Sequence, residues 1–180
     1  MFIKIITMKN LKTLLTLVLV FVASFSSNAG GDRPVHEIHS MMIFNFIKYV
    51  QWPGYDSSQD FIIGVIGDDN VYNTLNSWYN GKVRGDKKYA VKRFNSVNEI
   101  TGCHIIYVGK SEGKSFDAIN SKITGYPTLS VTDYPGLAAK GSAINFMTVN
   151  NKLAFELNQK AIDKANLKVS GQLTAMAILI

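Results

Sequence analysis

Only a few stretches of this 180-residue chain hold reactive residue types at a workable spacing. His36-Glu37-Ile38-His39 is one residue short of the H-E-x-x-H helix of zinc proteases. Two histidines three apart share a helix face, so with a third ligand they could chelate a metal. They also stand near the start of the mature chain, where ends fray, and a solvated helix start is the plainer reading. Cys103-His104 would make a thiolate nucleophile if the imidazole took the thiol proton. In a strand, however, neighbouring side chains point to opposite faces, and a lone cysteine more often fills a core. Gly109-Lys110-Ser111 and Gly113-Lys114-Ser115 look like the ends of phosphate-binding loops. The glycine required five positions earlier is His104 in one case and Val108 in the other. No G-x-S-x-G elbow is present either. The expectation is a protein that is not an enzyme and needs no metal or other cofactor.

Binding residues are the better candidates. Asp133 and Gly141 flank a loop that follows a strand, and open α/β sheets take ligands beyond the carboxyl ends of their strands. That makes them the small-molecule candidates. Trp52 with Tyr55, and Met176 in the closing stretch to Ile180, are apolar groups suited to anchoring a partner. Core packing is the plainer use of Trp52. Asn158 and Ser170 stand where a side-chain oxygen would cap a helix, a role in folding rather than recognition.

The elements that must position these residues follow from periodicity. Val35 to Val50 has Ile38, Met42, Phe46 and Tyr49 on one helical face, with Ser40 and Lys48 on the polar side. Trp52-Pro53 ends it, because a residue before proline avoids helical angles. Phe61–Ile66, Tyr89–Phe94, Gly102–Gly109 and Thr128–Val131 read as strands, while Val71–Tyr79 and Ser115–Ile123 read as helices. Ser142–Val149 and Lys152–Leu157 alternate around Asn150-Asn151, a pair that tolerates the positive φ of a tight hairpin. Asn158 then opens a helix with Ala161, Ile162 and Ala165, Asn166 stops it, and Ser170 opens another. The predicted class is α/β: a mixed, mainly parallel sheet, helices on both faces, and a C-terminal antiparallel hairpin.

Residues 1–29 read as a signal peptide. Lys4, Lys9 and Lys12 precede an apolar run from Leu14 to Phe25, and Ser27-Asn28-Ala29 offers small residues for cleavage. That run is short for a membrane span, and no nearby cysteine could carry a lipoprotein anchor. The remaining residues, 30–180, suit a single domain. Without the three signal lysines, 16 basic residues face 13 acidic ones, so the net charge is only +3. Lys82, Arg84, Lys87, Lys88, Lys92 and Arg93 then read as a solvated strand face, with no nucleic-acid partner expected. One cysteine permits no internal disulfide.

Four passages, in order, resemble the YfiR family across nearly all of the mature chain. They are F-I-K-Y-V-Q-W-P at 46–53, the Cys-His-apolar strand at 102–109, the strand–Asp–loop–Gly passage ending at Gly141, and F-E-L-N, a helix, L-K-V-S and a leucine-rich helix at the C-terminus. The family comprises small exported bacterial proteins, the best understood of which restrains a membrane-bound diguanylate cyclase from the periplasm. The resemblance implies a periplasmic regulator whose partner is the periplasmic region of an inner-membrane signalling protein, a diguanylate cyclase or sensor kinase. A periplasmic small-molecule-binding module is the alternative, and self-association into a homo-oligomer stays open. On this reading the mature protein begins at Gly30 and fractionates with soluble periplasmic contents. N-terminal sequencing checks it, and Met1 retained in a membrane fraction contradicts it.

Overall fold

Two apolar runs set the architecture. Phe61–Ile66 (β2) is buried at all but one position, and Ile105–Val108 (β5) at every position. Strands buried on both faces must find backbone partners on either side and a covering layer above and below. The computed structural model, which describes residues 33–53 and 59–180, supplies both. The expected signal segment and Tyr55 lie outside the described residues. Five parallel strands stand in the order β4 (Lys87–Phe94), β2, β5, β6 (Leu129–Thr132) and β7 (Ile144–Val149). Antiparallel β3 (Val83–Arg84) closes one edge. At the other edge β8 (Lys152–Leu157) runs antiparallel to β7, and β10 (Ile178–Leu179) runs parallel to β8. The mixed, mainly parallel sheet predicted from sequence is the one observed.

Alternation along the strands divides the core in two. Ile63, Val65, Ile105, Tyr107, Leu129, Val131, Ile144 and Phe146 face one layer. It contains α1 (Val35–Tyr49), α2 (Asp69–Tyr79), α4 (Gln159–Lys164) and α5 (Gly171–Met176). Ile66, Ile106 and Val108 face the other, where α3 (Phe116–Ile123) packs Phe116, Ile119 and Ile123 against them. Each fully buried aliphatic side chain contributes about 1.5–3 kcal/mol relative to exposure. The link from β6 to β7 contains no helix. Residues 133–143 run back along the α3 side of the sheet and bury Leu137 there.

Local signals explain the joints. Asn150 and Asn151 adopt φ of 50° and 60°, so the β7–β8 hairpin turns in two residues. Asn166 ends α4 at φ 52°. Asp68, Asn158 and Ser170 cap α2, α4 and α5 by accepting from Val71, Ala161 and Leu173 N–H groups at 3.0, 3.0 and 3.3 Å. α1 differs from its expected orientation. Ser40, assigned by pattern to the polar side, is fully buried, and its hydroxyl donates to the His36 carbonyl at 2.7 Å. α1 packs against α2 as well as the sheet, so its covered face is wider than the apolar stripe.

The segments that follow α1 and α4 meet through β1 (Val50–Gln51) and β9 (Lys168–Val169), a short antiparallel ladder extended by Ser170 N–H donating to Tyr49 O at 2.8 Å. Asn158 has a second task, since its Nδ2 donates to the Ala138 carbonyl at 2.8 Å. Sequence alone suggests that Asn158→Asp is mild, but aspartate would turn that donor into an acceptor facing a carbonyl. Asn158→Ala should lose the cap, about 0.5–2 kcal/mol. Asn158→Asp should keep the cap yet still cost about 1 kcal/mol or more through the Ala138 contact. Urea unfolding of both variants measures this, and an Asp variant as stable as the parent contradicts it.

Candidate functional site

After β2 the chain passes through α2 to β4 on one side, then returns to β5 on the other. Strand order therefore reverses between β2 and β5, and the carboxyl ends of such a pair are where open α/β sheets form a crevice. The groups converging there are polar. Asp68 follows β2, Tyr107 lies near the end of β5, Lys110 follows it, Asp133 follows β6, and His39 comes from α1. The His39 ring is 2% exposed and stacks on Phe146 with centroids 4.2 Å apart. Its Nδ1 lies 3.2 Å from Tyr107 Oη and 3.8 Å from an Asp133 oxygen. The Asp68 carboxylate also acts on the Tyr107 hydroxyl, and the imidazole tautomer sets which way the His39–Tyr107 bond runs. Nε2 is buried and has no hydrogen-bond partner among the described residues.

Burial governs the protonation states. It lowers the His39 pKa against the pull of Asp133 and Asp68, so the ring is neutral at neutral pH. It raises that of Tyr107, and the Asp133 and Asp68 carboxylates raise it further. Lys110 reaches Asp133 at 3.7 Å from a largely exposed position, a weak surface pair. The arrangement is a buried His39–Tyr107 hydrogen bond with the Asp68 and Asp133 carboxylates acting on it, and it ties α1 to the sheet.

The middle of the crevice is filled by backbone. Gly109 N–H donates to Ile66 O at 2.8 Å, and a Cβ on Gly109 would collide with the Gly67 carbonyl. Ser111 Oγ donates to that same carbonyl at 2.8 Å, and Gly113 lies flat against Tyr134. Both Gly-Lys-Ser runs are thus packed against protein rather than open to a phosphate. A polar cleft of about 340 Å³ survives beside them, where Arg93 pairs with Asp69 at 2.8 Å near Ser111 and Glu112. Among the described residues, no group of three or more His, Cys, Asp or Glu is placed to hold a metal.

The sequence candidates separate in space. Asp133 belongs to the crevice, but Gly141 lies beside the amino end of β6, one strand length of roughly 16 Å away. The loop they flank spans the sheet instead of enclosing one site. Trp52 is 8% exposed, stands edge-on to Phe61 and donates its indole N–H to the His104 carbonyl at 3.1 Å. It packs as a core residue, the plainer of the two uses considered for it. Met176 is 57% exposed. Cys103 is buried, its thiol pushed up to about 12, and His104 faces the other layer, stacked on Phe61. His39 is the residue that pattern reading misses, because it turns inward although the helix start before it is exposed at Val35. Its spacing was a usable signal, since positions 39, 43, 46 and 50 form one continuous buried stripe.

Residues 36–178 match the family model described as YfiR/HmsC-like. Among curated proteins, none is similar enough to count as a match.

The buried imidazoles imply acid sensitivity. Burial and the Arg84 guanidinium hold His104 down to about 4, while its Nδ1 accepts from Ile62 N–H at 2.8 Å. A folded pKa below the unfolded value means that the unfolded chain binds more protons. This stability is therefore complete above the ordinary value of 6.5 and is lost as pH falls toward about 4. Urea unfolding against pH should show that decline. His104→Asn, whose amide oxygen can accept from Ile62, should flatten it, and unchanged slopes contradict the assignment.

Proposed function

Since the chain belongs to the YfiR/HmsC-like family, we propose that it is a periplasmic regulator that binds the periplasmic part of a membrane signalling protein and holds it inactive. The observation that carries this reading is the family match, which runs from the start of α1 to β10. The partner is a diguanylate cyclase or a sensor kinase, and restraint requires tighter binding to its inactive state than to its active one. Equal affinity for both would shift nothing. No catalytic group is needed for this. Trp52 packs in the core, and the C-terminal edge offers an exposed apolar surface to a partner. There Met176, Leu179 and Ile180 are 57%, 56% and 48% exposed, beside a groove formed with Leu167 and Val169.

Deleting the gene should raise the partner's output, read as intracellular cyclic di-GMP if the partner is a cyclase. Met176→Glu combined with Leu179→Glu, folded and at parental abundance, should fail to restore the low level. Unchanged signalling outputs in the deletion strain, with no partner captured by crosslinking in the native membrane, would sink the regulatory reading. The small-molecule-binding module would then take its place.

A further inference from the structure

We propose that the cleft between α3 and α4, on the opposite side of α4 from the C-terminal groove, binds a small organic anion: a carboxylate or phosphate on a short apolar body. The cleft holds about 200 Å³, smaller than a site for a drug-sized ligand and suited to a metabolite. Three lysines line it from two segments, Lys140 from the β6–β7 link and Lys160 with Lys164 from α4. No residue lining it is acidic. None of the three lysines forms an ion pair among the described residues.

Those facts together are unusual for a solvated lysine face. Lys160 and Lys164 are one helical turn apart, a like-charge spacing that repels. The carboxylate available on α4, Asp163, instead accepts from Gln159 at 2.8 Å, and both line the groove on the helix's other side. Lys140 adds a third positive charge across the cleft. An anion between them would relieve the repulsion, and a partly enclosed site strengthens that attraction relative to open water. Asn120 from α3 lies over Gly141, its amide without a partner, and offers a neutral donor. Ile123, Ala161 and Ala165 make part of the wall apolar, and Tyr126, 59% exposed, stands at the rim. Charge at one end and carbon along one wall describe an organic anion better than a bare inorganic one.

The test is an NMR titration of the purified protein with phenyl phosphate, benzoate and inorganic phosphate, at ionic strength matched with chloride. Saturable amide shifts confined to residues 120–126, 140–141 and 158–165 are expected with phenyl phosphate or benzoate, and weaker ones with inorganic phosphate. Whichever organic probe binds more tightly fixes the headgroup. Lys140→Gln with Lys164→Gln should weaken that binding at least tenfold. Lys88→Gln with Lys92→Gln, which removes equal charge from β4 on the far side of the sheet, should leave it unchanged. Absence of saturable shifts with all three probes overturns the proposal, as does equal weakening by both double variants. The measurement involves no partner protein, so it stands or falls separately from the regulatory reading.

Discussion

A strand buried on both faces cannot be left at an edge or bare on either side, and β2 and β5 impose that condition on the whole molecule. They occupy the middle of the sheet because each needs two hydrogen-bonded neighbours. Helices must lie both above and below, so α1 and α2 take one face and α3 the other. Placing β4 on one flank of β2 and β5 on the other makes the strand order reverse, which brings the ends of those strands and their loops together. The buried His39–Tyr107 hydrogen bond is a consequence. Once α1 covers that end of the sheet, the polar atoms there must bond one another or remain unpaired.

The passages that mark the family in the sequence are scattered, yet in the fold they bond one another. Trp52 joins the Cys-His strand through the His104 carbonyl, and Val50-Gln51 pairs with Lys168-Val169. Asn158 reaches the β6–β7 link at Ala138, and its own N–H donates to Ala143 O at 2.9 Å. The recognisable residues are therefore largely the joints of the scaffold.

What could be read in advance was local. The Asn150-Asn151 turn and the caps at Asn158 and Ser170 depend on residues within four positions of one another, and the strands on simple alternation. Which side of α1 is buried depends on α2 and the sheet, elements distant in sequence, so Ser40 and His39 went unrecognised as interior residues. Taking Asp133 and Gly141 as the flanks of one ligand loop misses that the link between them spans the sheet. The lysine cleft is assembled from the β6–β7 link and α4, and no single stretch of sequence signals it.

Cys103 carries a practical consequence. A thiol held at about 12 has almost no thiolate at neutral pH, and this one is also shut away behind α3. Maleimides and disulfide reagents, which need that thiolate, find nothing to attack while the protein is folded. A cysteine introduced on the surface would therefore be the sole labelling handle among the described residues, with the native one left in place. Spectroscopic probes could be attached site by site to a chain whose core has not been altered.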